Sequence, residues 1–112
     1  MTAKKSNPFL GRWLITGMEA WDQDYVGLIV PGFIAFDERG SGEFQFGTVR
    51  GGLDCRLESI RGKKHMEFSW QGVNDTDPGC GRGWATLQHD EMIGHLFIHM
   101  GDDSKFLAIR SK

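Results

Sequence analysis

The sequence lacks the features that mark several specialised classes of protein. Its 112 residues include only three prolines and two cysteines, and no apolar run approaches the ~18 residues that a membrane helix needs. Lys4 and Lys5 give the chain a basic start, but no apolar stretch follows them, so the start does not resemble a secretion signal. We therefore expect a soluble cytoplasmic protein with one domain over residues 1–112, of which residues 1–8 form a polar leader.

The chain also lacks an excess of basic charge. Thirteen Lys and Arg residues stand against fifteen Asp and Glu residues, which gives a formal net charge of -2, and the two signs are interspersed. Binding to a polyanion requires a basic surface that this composition does not supply, so no nucleic-acid partner is expected, and no membrane partner either. In a reducing compartment, Cys55 and Cys80 are expected to be a buried thiol and a loop thiol rather than a disulfide.

Glycine is abundant, with sixteen residues, and turn signals divide the chain into eight short segments rich in β-branched and aromatic residues. The predicted strands are residues 11–21, 33–38, 43–49, 53–60, 65–70, 82–88, 92–100 and 105–111. After the first strand, Asp22 can cap a short helical lid that Pro31 and Gly32 end. Residues 73–81 are predicted to form the longest loop.

Eight sequential strands without a crossover helix predict an all-β fold, an eight-stranded antiparallel up-and-down β-barrel with a short helical lid after the first strand. A two-sheet sandwich is the competing fold. Sandwiches of this size usually connect their strands by longer Greek-key crossings, and the sequence shows no such connections.

The third to fifth strands alternate apolar and polar residues, so one face of each should point into the barrel. The residues of this inward face are Phe44, Phe46, Leu53, Cys55, Leu57, Met66, Phe68 and Trp70. An eight-stranded barrel is just wide enough either to fill with side chains or to hold one small ligand. Because aromatic rings take much of this space, a ligand should be small and apolar or aromatic. The residues expected to bind it are Trp13, Phe44, Phe46, Phe68, Trp70, Trp84 and His99.

The direction of the seventh strand stays open. If Phe97 points inward, His95 and His99 do so too, and the interior becomes a polar-tipped pocket. If Leu96 and Ile98 point inward, the two histidines lie on the outer surface.

A tryptophan near the start of the chain and an arginine near its end form a recognisable pair. Gly11, Arg12 and Trp13 open the first strand, and Arg110 lies near the end of the last. This pair resembles the pattern of lipocalins and fatty-acid-binding proteins, the calycins, in which a G-x-W tryptophan closes the barrel floor and an arginine of the final strand packs across it. The resemblance implies that Arg110 stacks on Trp13 as the structural closure of the barrel. The whole chain resembles short bacterial proteins with a lipocalin-like barrel, which implies the fold and no activity.

Two patterns suggest metal sites and do not satisfy the spacing that such sites need. His95 and His99 would share one face of a helix, but on a strand they lie roughly 13 Å apart, too far to share a zinc ion. A single histidine could still hold a metal or haem, although a structural or surface role is more usual. Asp75 and Asp77 are spaced as in a calcium loop, yet the remaining ligands are missing and an Asx turn is the better interpretation.

The glycine-rich stretch at residues 79–83 suggests a phosphate cradle around Arg82. A cradle needs a helix directly after it, whereas the sequence continues as a strand, so a solvent-facing arginine is expected instead. No pair of acid and base, and no nucleophile with its base, stands out. We expect no catalytic residue, no metal and no cofactor, and thus a binding protein rather than an enzyme.

Four strands carry apolar residues on both faces, namely the first, second, seventh and eighth, which adjoin one another in a closed barrel. Such a flank needs a cover, either the lid at residues 25–30 or a second copy of the chain as a homodimer.

The sequence leaves two hypotheses for the function. The leading one is a non-catalytic barrel that binds a small apolar or aromatic ligand inside, with its mouth near the lid and the loop at residues 73–81; the alternative is an inert, filled barrel that acts as a homodimeric interaction module through the apolar flank.

Overall fold

The protein is built almost entirely of strands in a computed structural model that describes residues 7–111. The elements are β1 (Gly11–Met18), α1 (Gln23–Val26), β2 (Phe33–Phe36), β3 (Ser41–Phe46), β4 (Val49–Ile60), β5 (Lys63–Asn74), β6 (Asp77–Gln88), β7 (Glu91–Ile98) and β8 (Asp103–Arg110). Within residues 7–111, no helix is long and apolar enough to cross a membrane.

The strands form one closed barrel in up-and-down order. Each strand pairs antiparallel with the next along the chain, and β8 pairs with β1 to close the sheet. At this seam Trp13 lies opposite Arg110 and Leu14 lies opposite Ile109. The predicted eight-stranded antiparallel barrel, with one short helix after the first strand, is therefore confirmed.

The predicted loop at residues 73–81 is wrong. β5 continues to Asn74 and β6 begins at Asp77, so that only a tight turn separates two strands of 12 residues each. Asp75 makes the turn possible by adopting a φ of 59°. Glycine and proline in this stretch suggested a loop, but pairing with the neighbouring strand satisfies the backbone here, as it does at Gly51 and Gly52 inside β4.

Glycines on the inner wall make room for aromatic rings. A Cβ atom on Gly83 would lie 2.4 Å from Cζ of Phe68, and one on Gly81 would lie 2.6 Å from Nε1 of Trp70. Large residues of β5 thus occupy the space that side chains of β6 would otherwise fill. Because rings and glycines complement one another across neighbouring strands, the core packs closely in a narrow barrel.

The two ends of the barrel differ. One end, called the lid end below, carries α1 and the turns β3–β4, β5–β6 and β7–β8. The opposite end, called the N-terminal end, carries residues 7–10 and the turns β2–β3, β4–β5 and β6–β7. Where a ligand can enter the barrel depends on whether each of these ends is open or closed.

Candidate functional site

Packed rings fill the middle of the barrel. Phe44 meets Trp70 edge-on at 5.1 Å between ring centroids and stacks with Phe46 at 5.9 Å. Phe68 is 3% exposed, and its ring lies 6.3 Å from that of Phe36. The centre is therefore a protein core, in which these rings contact one another.

The lid end is closed by the segment around α1. Trp21 lies 4.8 Å from Phe46 between ring centroids, and Val26 is fully buried. The Tyr25 ring lies where a Cβ atom of Gly47 would be, and its hydroxyl is 2.9 Å from Oγ1 of Thr48. These contacts block the mouth that the sequence placed near the lid, so that expectation is wrong.

At the N-terminal end, Arg110 and Trp13 hold the first residues against the barrel. The guanidinium carbon of Arg110 lies 4.2 Å from the Trp13 ring centroid, which is the contact that the lipocalin resemblance implied. Arg110 also donates hydrogen bonds to the carbonyls of Leu10 (2.7 Å) and Pro8 (2.8 Å). The indole N–H of Trp13 donates to the carbonyl of Phe9 at 2.9 Å, and Phe9 itself is fully buried.

Beside this closure, an open cup of about 620 Å³ remains at the N-terminal end. Its apolar lining comes from Leu10, Phe36, Cys55, Leu57 and Met66. Its polar rim comes from Asn7 and the β2–β3 turn, namely Asp37, Glu38, Arg39 and Gly40. The cup exists because the N-terminal segment plugs only part of the barrel mouth, where it contacts Trp13 on β1, Phe36 on β2 and Arg110 on β8.

Cys55 forms part of the cup wall and is 8% exposed. Burial, and then the nearby carboxylates of Asp54 and Asp37, raise the pKa of the Cys55 thiol to about 12. The group is therefore a neutral, weakly nucleophilic thiol at neutral pH and contributes apolar surface. Cys80 is also a free thiol, but it is exposed on β6 and not in a loop as expected.

The residues predicted to bind a ligand do not come together in the cup. Those that point inward, and belong to the buried core, are Trp13, Phe44, Phe46, Phe68 and Trp70. The cup is lined by other residues, which come from the N-terminal segment, the β2–β3 turn and the strands β2, β4 and β5. The sequence already indicated that Cys55, Leu57 and Met66 point inward, but it carried no signal that this end of the barrel would stay open.

Trp84 and His99 lie on the outer surface, which differs from the expectation that they face the interior. Gly83 and Ala85 take the inward positions of β6, and the buried Leu96 takes an inward position of β7. Large side chains therefore alternate outward on β6, because rings from β5 occupy the space inside. The question left open for the seventh strand is settled in favour of histidines on the outside.

The remaining motifs, which suggested a metal site or a phosphate cradle, are parts of strands and of a turn. His95 Nε2 lies 2.5 Å from Oδ2 of Asp103, and the glycine-rich stretch with Arg82 is part of strand β6. Asp75 occupies the tight turn between β5 and β6. Among residues 7–111, no group of three or more His, Cys, Asp or Glu side chains is placed to hold a metal ion.

The lid does not cover the apolar flank. Leu14 lies opposite Ile109 across β1 and β8, and Ile93 lies opposite Leu107 across β7 and β8. These four side chains, called the outer flank below, project from the barrel wall, and Ile109 is 45% exposed. The expectation of a lid over this flank is wrong because α1 packs on the end of the barrel.

The fold places the chain in the class of closed, eight-stranded antiparallel barrels, and its closure is consistent with a lipocalin-like barrel. In comparisons with known proteins, no family model, no curated protein and no solved structure matches the chain. Its function must be argued from its own geometry.

Proposed function

We propose that this protein binds a small apolar or aromatic molecule in the cup at the N-terminal end and catalyses no reaction on it. The cup is the observation that carries this proposal. Its apolar lining and polar rim are the arrangement of a small-ligand pocket, in which apolar walls supply affinity and a few polar groups fix orientation. Since rings fill the rest of the interior, the cup limits both the place and the size of the ligand.

Two further expectations belong to this proposal. The contact between Arg110 and Trp13 supports a place among calycin-type barrels and, with it, the bacterial origin that the resemblance implies. The free thiols of Cys55 and Cys80 suit the reducing cytoplasm expected for the chain.

Filling the cup should weaken ligand binding strongly. Leu57 lines the cup and is only partly buried, so Leu57→Trp places an indole in the ligand's space while the fold stays intact. We expect the wild-type protein to bind the neutral fluorescent probe N-phenyl-1-naphthylamine at one site, and Leu57→Trp to bind it at least about tenfold more weakly. Fluorescence titration measures both affinities. Native mass spectrometry of protein purified from its host tests for a natural ligand.

Val73→Trp is the matched control because it adds the same ring at a partly buried position near the lid end. It should leave probe binding unchanged. Equal probe affinity in Leu57→Trp and the wild type would rule out the cup as the binding site.

The outer flank favours a second function, a homodimeric interaction module. It presents aliphatic side chains from β1, β7 and β8 side by side, and no other element of the described chain covers it. A two-fold axis through this surface would bury the flank of each copy against that of the other. The same barrel can then bind a ligand at its end and a second copy at its wall.

A charge on the flank should prevent this association. We expect the wild type to be a dimer at micromolar concentration and Ile109→Lys to be a monomer, as measured by light scattering after size exclusion. Ile60→Lys is the matched control, because Ile60 is 50% exposed at the tip of the β4–β5 hairpin, away from the flank. A monomeric wild-type mass would eliminate the homodimer.

A further inference from the structure

Four rings stand in a row on the outer wall, away from the cup. His65 on β5 stacks with Trp84 on β6 at 5.7 Å, and Trp84 stacks with His95 on β7 at 6.3 Å between ring centroids. His95 in turn stacks with Phe97 at 4.5 Å. The contact between His95 and Asp103 fixes the imidazole, so the row is held in place at its centre.

A cleft of about 370 Å³ opens at the Phe97 end of this row. Trp84 and Phe97 line it together with the β6 residues from Gly81 to Gly83, and Glu67 and His99 complete its lining. Phe97 is 41% exposed, an unusual position for a large ring on a strand whose opposite face is in the core. An exposed aromatic surface of this kind suits a flat ligand that stacks on it.

An ion pair lies at the edge of the same cleft. Nη2 of Arg82 is 3.4 Å from Oε1 of Glu67, and their side chains are 74% and 39% exposed. Such a long, exposed pair contributes little to stability, so a ligand can replace its contacts at small cost. Arg56, opposite Glu67 on β4, pairs instead with Asp54 at 3.7 Å.

We propose that this cleft binds a planar aromatic zwitterion, such as an aromatic amino acid, at a site separate from the cup. The ligand's ring packs against Phe97 and Trp84 in the cleft, its carboxylate accepts hydrogen bonds from Arg82, and its ammonium group donates to Glu67. The cleft offers both signs of charge within one ion pair. A ligand with a single charge would be repelled by one of the two residues, whereas a zwitterion satisfies both.

The test compares three probes that share an indole ring and differ in charge. They are L-tryptophan, which is a zwitterion, tryptamine, which is a cation, and indole-3-propionate, which is an anion. By isothermal titration calorimetry, we expect the wild type to bind L-tryptophan at one site and at least about fivefold more tightly than either analogue. Absence of saturable L-tryptophan binding at millimolar concentration would overturn the proposal.

Two variants then test which charged side chain contacts which charged group of the ligand. Arg82→Gln should weaken L-tryptophan binding about tenfold and make tryptamine the preferred probe, since Glu67 then lacks the cation with which it pairs. Glu67→Gln should instead shift the preference to indole-3-propionate. Both positions are on the surface, and thermal unfolding should confirm that the variants fold. An unchanged order of the three probes in both variants would contradict the proposed contacts.

Arg50→Gln is the matched control, because Arg50 is an exposed arginine on β4 that does not line this cleft. It removes the same charge and should leave all three affinities unchanged. The cup variant Leu57→Trp separates the two sites: L-tryptophan binding that persists in Leu57→Trp supports the cleft. Binding that is lost in Leu57→Trp and kept in Arg82→Gln would place the ligand in the cup and overturn the proposal.

Discussion

Replacing Gly81 by alanine should destabilise the barrel by about 3–5 kcal/mol, which combines overpacking with the loss of a buried hydrogen bond. Gly81 on β6 lies between Trp70 on β5 and Phe97 on β7. The indole N–H of Trp70 passes over the glycine and donates to the carbonyl of Phe97 at 3.0 Å. A Cβ atom at Gly81 would lie 1.8 Å from that carbonyl oxygen and 2.6 Å from the indole nitrogen.

The clash with the carbonyl involves backbone, so a rotamer change cannot relieve it. Either β6 and β7 move apart, or the indole is displaced and leaves a buried donor without a partner. For a domain with a typical stability of about 5–15 kcal/mol, the expected loss is a large fraction of the total. Urea unfolding followed by far-UV circular dichroism measures it.

Gly17→Ala is the control for this experiment. Gly17 is also a strand glycine, but among residues 7–111 no atom beyond its own residue and its two chain neighbours lies within 4 Å of a Cβ built there. Its replacement should change the free energy of unfolding by no more than about 0.5 kcal/mol, or stabilise the fold slightly. If Gly81→Ala were as stable as Gly17→Ala, the packing of Trp70 over Gly81 would be refuted.

Removing the closure at the N-terminal end should have an effect of similar size. Trp13 is 2% exposed, and its indole joins the buried Phe9 to the barrel through a hydrogen bond. Trp13→Ala should therefore cost about 3–5 kcal/mol of stability through the cavity it leaves. Arg110→Gln should cost less, about 1–2 kcal/mol, because it removes the stacked cation and the hydrogen bonds to Pro8 and Leu10 while the core keeps its rings.

The order of these two effects is the informative result, and guanidinium unfolding of both variants determines it. Arg110→Gln should also expose residues 7–10 to proteolysis before the barrel unfolds, since these residues lose two of their anchors. Arg50→Gln serves as the control for arginine removal and should be neutral. An Arg110→Gln variant with unchanged stability and unchanged proteolysis would show that the closure contact is not a structural anchor.

The closure at the N-terminal end and the packing around Gly81 differ in how far the sequence predicts them. The pair of Trp13 and Arg110 was recognisable because a short motif at one end of the chain and an arginine at the other fit a known pattern. The role of Gly81 was not, since glycine in a polar stretch suggests a turn. Its reason lies in Trp70, which is eleven positions away in the chain and directly opposite in the register.

The cup, too, could be predicted from the sequence only in part. Alternation in β4 and β5 predicted that Cys55, Leu57 and Met66 face inward, because a half-buried strand alternates its side chains with period two. This alternation assigns each side chain to one face of the sheet, but it does not predict whether an end of the barrel is open or closed. The cup depends on where the N-terminal segment and α1 lie across the two mouths, and these positions come from long-range contacts such as those of Arg110 and Tyr25.

By itself, the sequence determined that the chain forms eight short antiparallel strands in a closed barrel, and which face of the regularly alternating strands is buried. Local patterns carry that information because strand periodicity and turn chemistry act over a few residues. Only the tertiary structure decided the outward direction of Trp84 and His99, the closed lid end and the open cup. The outward direction of Trp84 follows from packing, because in a narrow barrel the large rings of β5 leave room only for glycine and alanine on the inner face of β6. The state of the two ends follows from contacts between residues far apart in the chain, such as those of Arg110 and Tyr25.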